Sequence, residues 1–198
     1  MRRAVVILLH PVDWSPPGTD PATWRAALAE DLVDLLATLS QVEPAIAATA
    51  ADLPLARSIA WPDMPIHQLP EISVNAALAA AASAGYDQAA VLAADAPDLP
   101  GLLIGKLLRP ITTRPVAVAP AGGDGGGLLG VAAQLPAPGW LPTLDLAADP
   151  QAVRAAAPHP GQVAVTPPWR RLRGPADLAA LNPAVEGWET TRALLTAG

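Results

Sequence analysis

Short apolar runs alternate with Ala- and Leu-rich stretches of helical spacing along most of the chain. Residues 4–9 form an uninterrupted apolar run of strand length, the pattern of a strand covered on both faces. Asp20 followed by Pro21 reads as an N-cap and first helical residue. Trp24, Leu28, Leu32, Leu35, Leu36 and Leu39 then recur at helical spacing, with Arg25, Glu30, Asp31 and Asp34 placed toward water. Residues 44–49 predict a second strand, 51–59 a short helix and 65–69 a third strand. Ser73 caps a helix over 74–84 that Gly85 ends. Residues 88–94 predict a buried strand ending at Asp95, 99–109 a helix and 115–120 a further strand. A glycine-rich turn at 122–127 leads into the apolar run 128–133. Beyond a Pro-rich loop come a helix near 150–157, a strand over 162–166, and two short helices starting at Pro175 and Pro183. Strands alternating with helices of this length specify an α/β fold with a mostly parallel sheet. With no internal repeat and no long linker, the 198 residues are expected to form one domain.

Composition narrows the functional classes. The chain is 52% hydrophobic and 15% charged, which excludes a solvated disordered polymer. The absence of cysteine excludes disulfides, zinc ribbons and thiol nucleophiles. A net charge of -6, with eleven arginines and the single lysine Lys106, argues against a nucleic-acid partner. The amino-terminal apolar run is too short for a secretion signal, and no apolar stretch is long enough for a membrane span. A cytoplasmic protein is expected, and its Ala-rich helix surfaces are compatible with a homodimer.

In an open parallel sheet, ligands gather beyond the carboxyl ends of the strands. Loops 10–20, 69–75, 95–100 and 121–127 leave such ends. Asp95, at the end of a buried apolar strand, is held rigidly at the sheet edge, where a carboxylate suits Mg²⁺ shared with substrate phosphates. Asp98 reads instead as the cap of the following helix. His67 and His159 have no partner at ligand spacing for zinc. Ser15 and Ser73 lack the G-x-S-x-G setting of a hydrolase nucleophile, and no G-x-G-x-x-G follows the first strand. Trp14, Trp140 and Trp169 fall in loops.

Two segments carry a resemblance. Ala94, Asp95, Pro97, Asp98 and Leu99, followed by Asp124, Gly125, Gly126, Leu129 and Gly130, resemble the A-D-x-P-D-L and D-G-G-x-x-L-x-G-L segments of small bacterial glycosyltransferase-like proteins of the GT-A fold. The 2-phospho-L-lactate and molybdenum-cofactor guanylyltransferases share the plan. Ser73, Val74, Asn75, Ala76, Ala77 and Leu78 are similar to their G-L-N-A-A-L segment. The resemblance spans roughly residues 70–135. It implies a three-layer α/β/α sandwich of the nucleotide-diphospho-sugar transferase type. It also implies a nucleotide or nucleotide-sugar partner, a small-molecule acceptor and Mg²⁺ or Mn²⁺ at Asp95. Asp95 and Asp124 would then be catalytic, and His10, Pro11, Arg25, Asn75 and Ala94 would line the nucleotide, with Asn75 near the base. Gly125, Gly126 and Gly127 would face the sugar or acceptor.

Two departures bear on that expectation. The loop after the first strand, where such transferases usually carry Lys and Arg, has Asp13 and Asp20 and no cation. Phosphoryl-type transfer depends on cations to stabilise developing charge. Near the C-terminus, Arg171 and Arg173 stand where relatives place an Asp-x-Asp, while Pro175, Asp177 and Leu178 match. Arg170, Arg171 and Arg173 are either direct phosphate ligands or a solvated or partner-contacting basic face. The expectation is therefore a metal-dependent glycosyl- or nucleotidyltransferase, with a catalytically degenerate binding or scaffold protein as the alternative.

Overall fold

The computed structural model describes residues 1–123, 125–182 and 184–196. Its centre is a mixed sheet built from β1 (Arg3–Leu8), β2 (Glu43–Thr49), β3 (Ile66–Leu69), β4 (Gln88–Ala93), β5 (Val116–Gly122), β6 (Leu128–Gln134) and β7 (Val163–Val165). The strands lie in the order β3-β2-β1-β4-β6-β5-β7, and β8 (Trp169–Arg170) pairs with the end of β5. All pairs are parallel except the two made by β6, which runs antiparallel between β4 and β5.

Helices cover both faces, and the alternation of strand side chains decides which residues meet them. Val5, Ile7, Ile46, Ala48, Ala90, Leu92 and Ala117 pack on one face, under α1 (Pro21–Ala37), α2 (Leu53–Ile59) and α4 (Gly101–Leu108). Their sequence neighbours Ala4, Val6, Ala45, Ala47, Ala89, Val91 and Val116 pack on the other, against α3 (Val74–Ser83), α5 (Pro150–Ala156) and the segment carrying Leu141, Leu144 and Leu146. The result is the expected three-layer α/β/α sandwich. No helix among the described residues is long and apolar enough to cross a membrane.

The local signals act as the chain pattern predicts at several ends. Asp20 accepts the Thr23 backbone N–H at 2.8 Å to cap α1. Ser73 accepts the Ala76 N–H at 3.0 Å to cap α3, and Gly85 leaves that helix at φ +82°. Four expectations change. Asp31, placed toward water by the helical pattern, is buried. Residues 50–52 form a 3-10 turn before α2, so the helix begins at Leu53. Asp98 does not cap α4; Pro100 precedes the helix with no side-chain cap, and the Asp98 carboxylate is taken by more distant partners. The helix expected from Pro183, which lies outside the described residues, is replaced by α7 (Glu189–Thr196), after α6 (Pro175–Ala179).

The late start of α7 has a physical cause. Trp188, which precedes it, has no acceptor in its side chain to cap a helix. Asp31 of α1 supplies the cap instead, its two carboxylate oxygens accepting the Thr190 and Thr191 N–H groups at 2.9 and 2.8 Å. This lashes α7 onto α1, where Leu194 and Leu195 pack against the cluster of Trp24, Leu28 and Leu172. Asp31→Ala is expected to destabilise the protein by about 1–2 kcal/mol, the range for a lost cap. Urea denaturation measures that loss, and faster amide exchange at Thr190 and Thr191 would localise it.

Candidate functional site

β1 and β4 are neighbours in parallel register, Leu8 opposite Ala93, so their carboxyl ends deliver His10 and Asp95 to one place on the sheet edge. β6 starts beside them at Leu128, and β8 brings Arg171 in across the end of β5. Asp95 is 1% exposed and Arg171 6% exposed. Arg171 grips Asp95 in a two-pronged ion pair, Nε to Oδ1 at 2.7 Å and Nη2 to Oδ2 at 2.9 Å. Its Nη1 donates to the carbonyl oxygens of Leu128 and Leu146, each at 3.2 Å. Nη2 also lies 3.4 Å from His10 Nε2. A guanidinium has five N–H donors, and each has an acceptor within or near hydrogen-bond reach here.

His10 closes the cluster from the β1 side. Its Nδ1 is 2.6 Å from the Pro11 carbonyl oxygen, which places the ring hydrogen on Nδ1. Nε2 stands 3.4 Å from Asp95 Oδ1 as well as from Arg171. A neutral ring accepts from Arg171, and a protonated one donates to Asp95. Burial alone pushes the Asp95 carboxyl up, but the hydrogen bonds and charge of His10 and Arg171 outweigh it and hold the group below its ordinary value. The Leu172 N–H also donates to the Asp95 carbonyl at 2.7 Å, tying the C-terminal segment to the β4 end by backbone as well.

The other expected nucleotide residues are held by the protein itself. Arg25 leans back from α1 to the carbonyls of Leu9 and His10 at 3.1 and 3.0 Å and pairs with Asp52 at 2.6 Å. Asn75 donates to the Pro142 carbonyl at 3.1 Å and accepts the Leu144 N–H at 2.7 Å, pinning that loop over α3. Ala94 is buried in the turn after β4, and Pro11 lines a small cavity with Asp13, Trp14, Asp95 and Arg173. That cavity measures about 160 Å³, below the roughly 300 Å³ at which small-molecule sites begin.

The glycine-rich turn is held from beneath by Arg173, whose Nη1 donates to the Gly126 and Gly125 carbonyls at 2.8 and 3.3 Å. Gly127 sits at φ +84°, where an added Cβ would meet the Leu146 carbonyl oxygen at 2.5 Å, so only glycine fits. Asp124 lies outside the described residues. Beside the turn, Arg170 reaches Asp98 at 2.5 Å, and Trp169 Nε1 donates to the same carboxylate at 3.2 Å. Burial pushes the Asp98 carboxyl up, only partly offset by the Arg170 charge and the Trp169 hydrogen bond.

A scan against protein-family models gives no match, and neither does a search of curated proteins. Solved structures do match. A protein of Desulfovibrio desulfuricans G20 described as a nucleotide-diphospho-sugar transferase superimposes with TM-score 0.70 at 19% identity, covering 100% of this chain and 95% of that one. CMP:2-keto-3-deoxy-manno-octonic acid synthetase, in complex with CTP, matches with TM-score 0.63 at 13% identity, over 100% and 99% of the two chains. Rv0371c of Mycobacterium tuberculosis H37Rv, in complex with manganese, matches with TM-score 0.55 at 15% identity, over 98% and 97%.

The fold is that of the nucleotide-diphospho-sugar transferases.

Within that fold, the donors present here do not fit a divalent metal at Asp95. Mg²⁺ demands near-octahedral oxygen coordination, yet both oxygens of Asp95 are engaged by Arg171. Among the described residues no group of three or more His, Asp or Glu side chains is placed to hold a metal ion. Arg171 supplies the positive charge that balances Asp95. What sequence reasoning missed is the partner of each arginine: Arg170 and Arg171 pair with Asp98 and Asp95, and Arg173 with glycine carbonyls. The signal was present in the inversion itself, since acids replaced by arginines opposite a remaining aspartate are complementary in charge.

Removing one partner of a buried ion pair leaves the other uncompensated, so Asp95→Ala and Arg171→Ala are each expected to destabilise the fold by about 3–5 kcal/mol. The double replacement Asp95→Leu with Arg171→Met should recover most of that loss. Urea midpoints of the three variants measure it; independent, additive losses would show that the two side chains are not coupled.

Proposed function

We propose that this chain is a transferase-fold protein that acts by binding, as a ligand-binding or scaffold subunit, and not by metal-assisted transfer. The observation that carries this reading is the internal cation: Arg171 saturates Asp95, the carboxylate from which metal-dependent transfer would start. The surrounding charges support it. Arg25 and Arg170 are paired with Asp52 and Asp98, and Arg173, which lines the cavity at Asp95, donates to the carbonyls of the glycine turn. The space at Asp95 is too small for a nucleotide as the chain stands.

Nucleotides remain the ligand class to test first, because one structural neighbour is a complex with CTP. The fold's ligand edge is also intact here, with strand ends, the pinned 142–144 loop and the glycine turn in place. A nucleotide-dependent glycosyl or nucleotidyl transfer is the second reading, favoured by that placement of Asp95 and the glycine turn on one edge. It requires Arg171 to leave Asp95 on ligand binding.

Calorimetry with CTP, GTP and nucleotide sugars, each with and without Mg²⁺ or Mn²⁺, separates the two. The binding reading predicts that metal leaves any nucleotide affinity unchanged and that no nucleoside phosphate is released on incubation with nucleotide sugars. Tightening of about tenfold or more on adding either metal, with turnover, would return the protein to the metal-dependent transferases.

A further inference from the structure

A larger cavity of about 470 Å³ lies at the opposite end of the sheet from Asp95. It opens between α4, the turn after α1 and the start of β1, where the parallel strands begin. The six residues of β1, at about 3.3 Å each, set it roughly 20 Å from the Asp95 cluster. Its walls are Leu39, Val42, Ile104 and Leu108. Arg3 and Arg109 stand at its rim, and no lining residue is acidic, on a chain whose net charge is -6.

Both guanidiniums have open donors. Arg3 uses only Nε, which donates to Gln88 Oε1 at 2.7 Å, and Arg109 has no side-chain partner among the described residues. The Ser40 and Thr112 hydroxyls lie on the same lining.

Gly105 adds a second, independent observation. It stands inside α4, where glycine is the least favourable residue after proline. Neither backbone nor packing demands it: its φ is not positive, and an added Cβ would meet nothing within 4 Å. The missing side chain leaves the groove open at a price in helix stability that a larger residue would remove.

We propose that this groove is a binding site for a small monocarboxylic acid with an apolar body. The apolar floor takes the hydrocarbon. The carboxylate meets Arg3 and Arg109, whose planar, always-charged donors suit it. The volume falls within the roughly 300–1,000 Å³ range of small-molecule sites. The site is separate from the Asp95 cleft and does not depend on whether that cleft turns over a substrate.

The test is calorimetric titration of the full chain with octanoate and with octanol, using wild type, Arg109→Ala and Gly105→Leu. Wild type is expected to bind one octanoate saturably and octanol at least about tenfold more weakly, the share of a charge-assisted hydrogen bond. Arg109→Ala should weaken octanoate by a similar factor. Gly105→Leu should abolish binding while its thermal midpoint stays level or rises, which separates a filled groove from a damaged fold. Equal affinity for octanol and octanoate, no saturable octanoate binding by wild type, or full binding by a folded Gly105→Leu would each overturn the assignment.

Discussion

The buried pair of Asp95 and Arg171 is the constraint around which the carboxyl edge of the sheet is organised. A carboxylate at 1% exposure is tolerable only if its charge is matched and its lone pairs are filled. Arg171 does both, and its remaining donors collect carbonyls from Leu128 and Leu146. One side chain thereby joins the end of β4, the start of β6, the loop over α3 and, through His10, the end of β1. The Leu172 N–H on the Asp95 carbonyl doubles the link. Behind it, Leu172 enters the cluster with Trp24 and Leu28 onto which α7 docks. The C-terminal segment is thus anchored at the carboxyl ends of β1 and β4.

The same economy of charge explains the acidic first loop. A loop that met phosphates would need cations, and the nearest one, Arg25, is consumed by the carbonyls of Leu9 and His10 and by Asp52. Arg170 and Arg173 are consumed in the same way by Asp98 and by the glycine turn. Arg3 and Arg109, by contrast, keep open guanidinium edges on the lining of the larger cavity.

Much of the architecture was legible because its signals are local. Asp20, Ser73 and Gly85 mark helix ends by chemistry within four residues, and the apolar runs of β1 and β4 show their double burial directly. Asp95 stood out for the same reason, as a charge closing an apolar strand. What failed to show are interactions without local period. The cap of α7 comes from Asp31, 159 residues before Thr190, so Trp188 gives no hint of where the helix begins. Asp98 looks like a cap until Arg170 and Trp169, more than 70 residues on, claim it. Asn75 holds backbone groups of residues 142 and 144, partners that no local pattern announces. For Arg171 the residue type was informative and its partner was not: an arginine in an acid's place predicts an anion nearby, and whether that anion is a phosphate or Asp95 is settled only by the fold.

The central claim is that a built-in cation replaces a bound one at Asp95. Electron paramagnetic resonance of Mn²⁺ titrated into the full chain without nucleotide tests it directly. The Mn²⁺ signal is expected to match that of Mn²⁺ in buffer without protein at every ratio. A protein-dependent loss of signal saturating at one equivalent, and absent in a folded Asp95→Asn variant, would contradict it.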